Sequence, residues 1–208
     1  MNTVARHAKR TGRRDFETIA GWIRDGAHVL DLGCGDGSLL RHLQQVRHAS
    51  GYGIEIDDNK VLASLKNGVN VLQADLEAGL SGFDNDSFDY VILSLTLQAV
   101  RHTERIVEEM LRVGREGIVT FPNFGYWRHR LHVMMGRVPV SRELPYQWYD
   151  TPNIHVLTID DFEIFCASHG MRIRERVVLN EAGQEVKYLP NLLGALAVYR
   201  FDNFGSTG

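Results

Sequence analysis

Val29-Leu-Asp-Leu-Gly-Cys-Gly-Asp-Gly37 decides how this 208-residue chain is read. An apolar run ends at Leu32, the chain must turn sharply, and a helical pattern opens at Ser38. Glycines at 33, 35 and 37 permit the positive φ of such a turn and let a ligand come close to the backbone. A tight strand–helix turn alone would select the same glycines, so position carries the inference. The turn follows the first strand of an alternating α/β chain, where sheets of this kind bind ligands at the carboxyl ends of their strands.

The alternation extends outward from there. Phe16, Ile19, Ala20 and Ile23 share one face of an entry helix over 15–24. Strands are expected at His28–Leu32, Ser50–Glu55, Asn70–Ala74, Phe88–Ser94 and Gly117–Phe121. Between them lie helices at Ser38–Val46, Asp58–Lys66 (capped by Asp57 or Asp58) and Thr103–Val113. Residues 122–157 break the rhythm, with most of the prolines and little regular periodicity, and read as an insertion or lid. Helix Thr158–His169 and strands Met171–Val178 and Ala195–Phe201 follow. The loop with Gly183 and Pro190 between those strands makes a hairpin-like ending, with the last strand antiparallel. The expected fold is α/β, a Rossmann-like sandwich on a seven-stranded, mostly parallel sheet. It forms one domain over 15–201, between a basic flexible leader (1–14) and a frayed tail (202–208).

Composition narrows the function classes. Twenty-three basic against 26 acidic side chains leave a net charge of −3, which gives no overall pull toward nucleic acid or anionic lipid. Two cysteines make no disulfide framework, and no apolar stretch approaches the roughly 18 residues of a membrane span. Thr11-Gly-Arg-Arg-Asp-Phe16 touches on a twin-arginine export signal, but a charged amphipathic segment follows where an apolar core is needed. The reading is cytoplasmic.

Two acids sharpen the ligand. Glu55 closes the second strand about 20 residues beyond the turn, the distance at which a carboxylate can take both ribose hydroxyls. Asp75 closes the third and can accept from an adenine amino group. A dinucleotide fingerprint wants G-x-G-x-x-G, and a P-loop wants Gly-Lys-Ser/Thr; here the pattern is G-x-G-x-G, flanked by Asp31 and Asp36. Those acids repel phosphates and suit a ligand carrying an ammonium and a sulfonium, which is S-adenosylmethionine (SAM); its product S-adenosylhomocysteine, a thioether that keeps the ammonium, would take the same site.

These residues resemble the class I SAM-dependent methyltransferase fold. The resemblance implies Asp31, Gly33, Gly35 and Gly37 along the methionine part, Glu55 on the ribose, and Asp75 with Leu76 at the adenine. Cys34, Ile56 and Ser94, beside them in the chain, complete the expected cofactor set. No catalytic residue is assigned. The amino-acceptor subset carries Asn/Asp-Pro-Pro-aromatic after strand four, where this chain has Ser94-Leu-Thr-Leu-Gln98. Neither Cys34 nor Cys166 follows a proline, as a cytosine-C5 nucleophile would; both read as packing residues. His129 and His132 can share a helix face but lack a neighbouring carboxylate, so no metal is expected. His102 and His155 read as surface or capping residues.

Between Pro122 and Arg142 stand Arg128, Arg130, Arg137 and Arg142, no acid, and Phe124, Tyr126 and Trp127. Such a stretch suits a lid, a protein-partner anchor or a nucleic-acid track; the net charge argues against the last. The segments Ile92-Leu-Ser-Leu-Thr-Leu-Gln-Ala-Val-Arg-His102, Thr120-Phe-Pro-Asn-Phe-Gly-Tyr-Trp127, Tyr149-Asp-Thr-Pro-Asn-Ile-His155 and Thr158-Ile-Asp-Asp-Phe-Glu163 resemble the MetW proteins of bacterial methionine biosynthesis. That resemblance covers roughly 15–200 and implies a partner or activator role with homoserine O-acyltransferase. The alternative is an independent methyltransferase acting on a small molecule.

Overall fold

A computed structural model describes residues 14–204. The expected leader, apart from Arg14, and tail residues 205–208 lie outside the described residues. Helix α1 (Arg14–Trp22) leads into β1 (His28–Leu32), α2 (Ser38–Arg47), β2 (Ser50–Glu55), α3 (Asp58–Lys66) and β3 (Val71–Gln73). Next come β4 (Phe88–Ser94), α4 (Thr103–Val113), β5 (Gly114–Pro122), α5 (Trp127–Met134), α6 (Ile159–Ser168), β6 (Met171–Leu179), α7 (Pro190–Leu193) and β7 (Leu196–Asn203). One seven-stranded sheet has the order β3-β2-β1-β4-β5-β7-β6. β1 to β5 pair in parallel, while β7 is antiparallel to both β5 and β6.

Period-two alternation splits the core between two faces. Val29, Tyr90, Ile92, Ile118 and Val198 pack with Ile19 of α1, Ile23 just past its end, and Leu39, Leu40 and Leu43 of α2. Their neighbours Leu30, Leu32, Val91, Leu93, Val119, Phe121 and Tyr199 pack with Val107 and Met110 of α4 and Phe162 of α6 on the other side. Central strands buried on both faces therefore read as continuous apolar runs. The crossover β1-α2-β2 and its successors bring the carboxyl ends of β1, β2 and β4 to one edge.

Several boundaries differ from expectation. β3 keeps only Val71–Gln73 of the expected Asn70–Ala74, because it is the edge strand and Leu72 and Gln73 face solvent. β5 begins three residues early and takes in Pro122, and the insertion opens with helix α5, where no helix period was legible. The frayed tail does not begin at Asp202. β7 runs on to Asn203, and Asp202 is buried, bonded to Arg172 (2.9 and 3.0 Å) and Arg174 (2.7 Å). Burial works against its charge, yet the two guanidiniums hold its carboxyl below the usual range. Among the described residues, no helix is long and apolar enough to cross a membrane.

Candidate functional site

Gly33, Gly35 and Gly37 have φ of 68°, 62° and 74°, all in the region that glycine adopts freely. The amides of Gly33 and Cys34 both donate to Ile54 O (2.8 and 3.0 Å), pinning the turn to β2. The three glycines face different surroundings. A Cβ at Gly33 would lie 2.8 Å from the Thr96 side chain, and one at Gly37 would crowd Ser64 and Val69. A Cβ at Gly35 would meet nothing within 4 Å. Gly35 is therefore the point where the turn borders open space and a ligand can approach its backbone.

Glu55 is buried at the end of β2 and folds back on this turn. Its Oε2 accepts from Gly35 N (2.9 Å), and its Oε1 accepts from Ile56 N and Asp57 N (both 3.0 Å). A carboxylate offers about four lone-pair sites, so three amides leave one for a hydroxyl. Asp57 caps α3 by accepting from Asn59 N and Lys60 N. Asp75, exposed beyond the short β3, accepts from Glu77 N (2.9 Å) at the head of a 3-10 turn, Leu76–Ala78.

The structure brings the turn, Glu55, Ile56 and the end of β4 together at the carboxyl edge, with Asp75 and Leu76 one strand farther out. Asp31 is buried within β1. Cys34 is buried too, its Sγ 3.8 Å from Ser64 Oγ. Burial, with Asp31 beside it, pushes its thiol up to about 12, so it is no nucleophile at neutral pH. Gly53 makes room for it, since a Cβ there would stand 2.4 Å from Sγ. Ser94 Oγ lies 3.1 Å from Thr120 Oγ1 and 3.5 Å from Asp15 Oδ2.

Three polar residues at this edge escaped sequence reasoning, because each is tied to a residue far away in the chain, Gln98 through its main-chain oxygen, which accepts from Ile154 N and His155 N. Asp15 is buried against the end of β4, 79 residues on. Gln98, buried in a 3-10 turn (Leu97–Ala99) just past β4, donates through Nε2 to Leu95 O at 2.8 Å. Asn123 is fully buried at the base of the insertion. Its Nδ2 donates to Asn191 O (3.0 Å) and Gly194 O (2.8 Å), and its Oδ1 accepts from Gly125 N (3.0 Å).

His129 and His132 do stand on one helix, α5, but they do different things. His129 is fully buried between Asn123 O and Ser141 Oγ, each 3.1 Å away. A carbonyl can only accept, so Nδ1 carries the proton and Nε2 accepts from Ser141. Burial lowers its pKa, keeping the ring neutral. Among the described residues, no group of three or more His, Cys, Asp or Glu side chains converges as around a metal ion. His102 faces Glu77 Oε2 (2.7 Å), and His155 Nε2 lies 3.2 Å from Arg101 O.

A cleft of about 520 Å³ lies away from the glycine turn. It lies against α5, lined by Trp127, Leu131, His132, Val140, Arg142 and Glu181 among others. Arg128 on its wall pairs with Glu181 at 2.8 Å.

The family model of methionine biosynthesis protein MetW matches residues 13–201. The chain belongs to the MetW family. A bifunctional methionine biosynthesis protein MetXA/MetW from Rhodopirellula baltica is 38% identical over 200 residues, covering 90% of this MetW-family chain. The chain spans only 32% of that relative's length. Among solved structures, a SAM-dependent methyltransferase of Thermotoga maritima, described as a possible histamine N-methyltransferase, superposes with a TM-score of 0.67 at 18% identity. That match covers 92% of this chain and 88% of the other. A SAM-dependent methyltransferase of Aquifex aeolicus gives 0.62 at 16% identity, over 90% and 88% of the two chains. The fold is the Rossmann-like sandwich of SAM-dependent methyltransferases, as expected from the glycine turn outward.

Proposed function

We propose that this chain binds S-adenosylmethionine at the β1–β2–β4 edge and acts in the cytoplasm as a partner of homoserine O-acyltransferase in methionine biosynthesis. The observation that carries the partner role is the Rhodopirellula relative, whose name joins MetXA and MetW in one polypeptide. Fusion raises the effective concentration of two units that work together, and units that associate in one species as separate chains gain from being linked in another.

The cofactor part rests on fit. Gly35 borders open space, and Glu55 retains an acceptor site beside it. In this reading Gly33, Cys34, Gly35 and Gly37 line the methionine part, with Asp31 behind them. Glu55 and Ile56 border the ribose, Asp75 and Leu76 the adenine, and Ser94 the transferable methyl. SAM derives from methionine, so a SAM-binding partner couples flux to end product. The same intact turn favours a second reading, methyl transfer to a small molecule; a fold that binds the cofactor does not by itself establish a reaction.

The test is acyl transfer to homoserine by the cognate acyltransferase, with and without this protein and with and without SAM. Stimulation supports the partner role, and a SAM effect on it supports the sensor reading. No stimulation under any condition removes the partner role and leaves methyl transfer to be assayed.

A further inference from the structure

We propose that the outward face of α5, with the cleft beside it, is the surface on which the partner protein docks, and that it receives an acidic segment carrying a large apolar side chain. The proposal rests on the partner role above and names the surface that serves it.

Helix α5 is built inside out. Trp127, Leu131 and Met134 stand at i, i+4 and i+7, so they share one face of the helix, a stripe that the apolar Val133 and Met135 blur in the sequence. That stripe points into water: the three side chains are 41%, 44% and 84% exposed, and Met135 beside them is exposed as well. The residue that α5 buries, half a turn away from the stripe, is the polar His129. A helix that keeps its apolar stripe outward and a histidine inward presents an unpartnered face. Trp127 and Leu131 also line the cleft, together with Val140 and Glu181. The face is held in shape without a partner. His129 lies between Asn123 O and Ser141 Oγ, and Arg130 Nε donates to Gly125 O (2.6 Å), so little ordering is left to cost affinity on binding.

Charge says what fits. The four arginines between Pro122 and Arg142 are all exposed, with no acid among them, in a chain whose net charge is −3. Arg128 is already engaged, lying over the Trp127 ring (5.4 Å to its centroid) and paired with Glu181. Arg130 and Arg137 bracket Met134 and Met135 in the chain, so the apolar centre carries positive charge at its margin. Such a surface attracts an acidic segment and offers its centre to a large apolar side chain. The residue types point to a protein. Trp, Met and Arg are enriched at protein interfaces while Lys is depleted, and the stretch 122–142 holds no lysine.

Calorimetric titration of the full chain into its cognate homoserine O-acyltransferase reads this, with stimulation of acyl transfer as a second readout. Met134→Asp, which sets a carboxylate in the apolar centre, should weaken the complex about thirtyfold. Arg137→Glu should weaken it about tenfold and reduce its sensitivity to salt. Lys66→Glu, the same reversal at the exposed end of α3, should leave affinity within about twofold of wild type. All three positions are exposed, and Leu131→Asp serves where Met134→Asp fails to fold. A wild-type complex that Met134→Asp and Arg137→Glu both leave intact overturns the docking face, while the partner role stands. Met134→Asp also overturns it by abolishing binding to anionic lipid vesicles, or a dimer of the wild type in sedimentation, with the acyltransferase complex untouched; the face then belongs to a membrane or to a second copy of this chain. Failure of the wild type to bind the acyltransferase is a different result: it removes the partner role, and the docking face with it.

Discussion

The glycine turn and the insertion both sit at the carboxyl edge of the sheet, and they are built in opposite ways. At the turn, polar groups are matched at short range: Glu55 accepts three amides, all from its own strand end or the turn beside it. Leu32 and Cys34 are buried there, and of the three glycines of the turn Gly35 is the one whose Cβ position borders open space. In the insertion, the polar matches lie at its buried base, where Asn123 and His129 tie β5, α5, α7 and residue 141 together. Most of its large apolar side chains face outward, although Tyr126 is buried. Met134 is 84% exposed, and Val138, Trp148 and Tyr149 are exposed as well. A small-molecule site needs enclosure and directed polar groups; a surface with large apolar side chains left in water has the character of a contact face. The contrast supports the proposal of ligand binding at the first region and association at the second.

The largest expected effect falls on the insertion's base. Asn123→Ala orphans two carbonyls and an amide in a fully buried position, and should cost about 3 kcal/mol of stability. A denaturant midpoint close to wild type would show that the base does not hold the insertion. At the other region, Gly35→Val forces a β-branched residue into the left-handed region and fills the open side. It should weaken SAM binding by about thirtyfold or more in calorimetry, and Glu55→Ala by about tenfold. Unchanged affinity in both variants would remove the ligand site from the glycine turn.

A pH experiment separates the regions further. His129 is held neutral with a depressed pKa, so the unfolded chain binds its proton more readily than the folded one. The stability that neutral His129 contributes is present above the ordinary histidine pKa of about 6.5 and is lost as pH falls below it toward the folded value. Between pH 7 and 5, protection factors in α5, corrected for the intrinsic pH dependence of amide exchange, should fall by a factor of a few. His129→Gln should flatten that dependence, and an equal response in α2, behind the glycine turn, would break the distinction. The smallest effect on stability is at the surface. Trp148→Ala should change the melting free energy by less than about 0.5 kcal/mol. It should nevertheless reduce stimulation of the acyltransferase, and full stimulation would move the contact face elsewhere.

Much of this was legible in the sequence, for reasons that differ by element. β1, β4 and β5 are central and buried on both faces, so their side chains must be apolar at nearly every position, and they read as runs. The glycine turn was legible because positive φ at three alternating positions leaves few residue choices. The antiparallel β7 was expected from a hairpin-like ending whose loop holds Gly183 and Pro190. β3 was drawn two residues too long, since an edge strand has one side in water and little pattern to read. Helix α5 was not legible as an element, because Trp127, Leu131, Met134 and Met135 are all substantially exposed and no apolar stripe faces a core.

What the chain determined by itself is the alternation of strands and helices, the turn at 33–37 and the acid at 55, because these are local choices imposed by backbone geometry and by burial on fixed periods. Only the tertiary structure decided which polar residues became buried anchors. Asn123 meets Asn191 and Gly194 about 70 residues on, Gln98 carries Ile154 and His155, and Asp202 closes on two arginines of β6. A hydrogen bond between residues so far apart leaves no period in the sequence; the fold must first bring the partners within 3 Å, and only then does burial make each one indispensable.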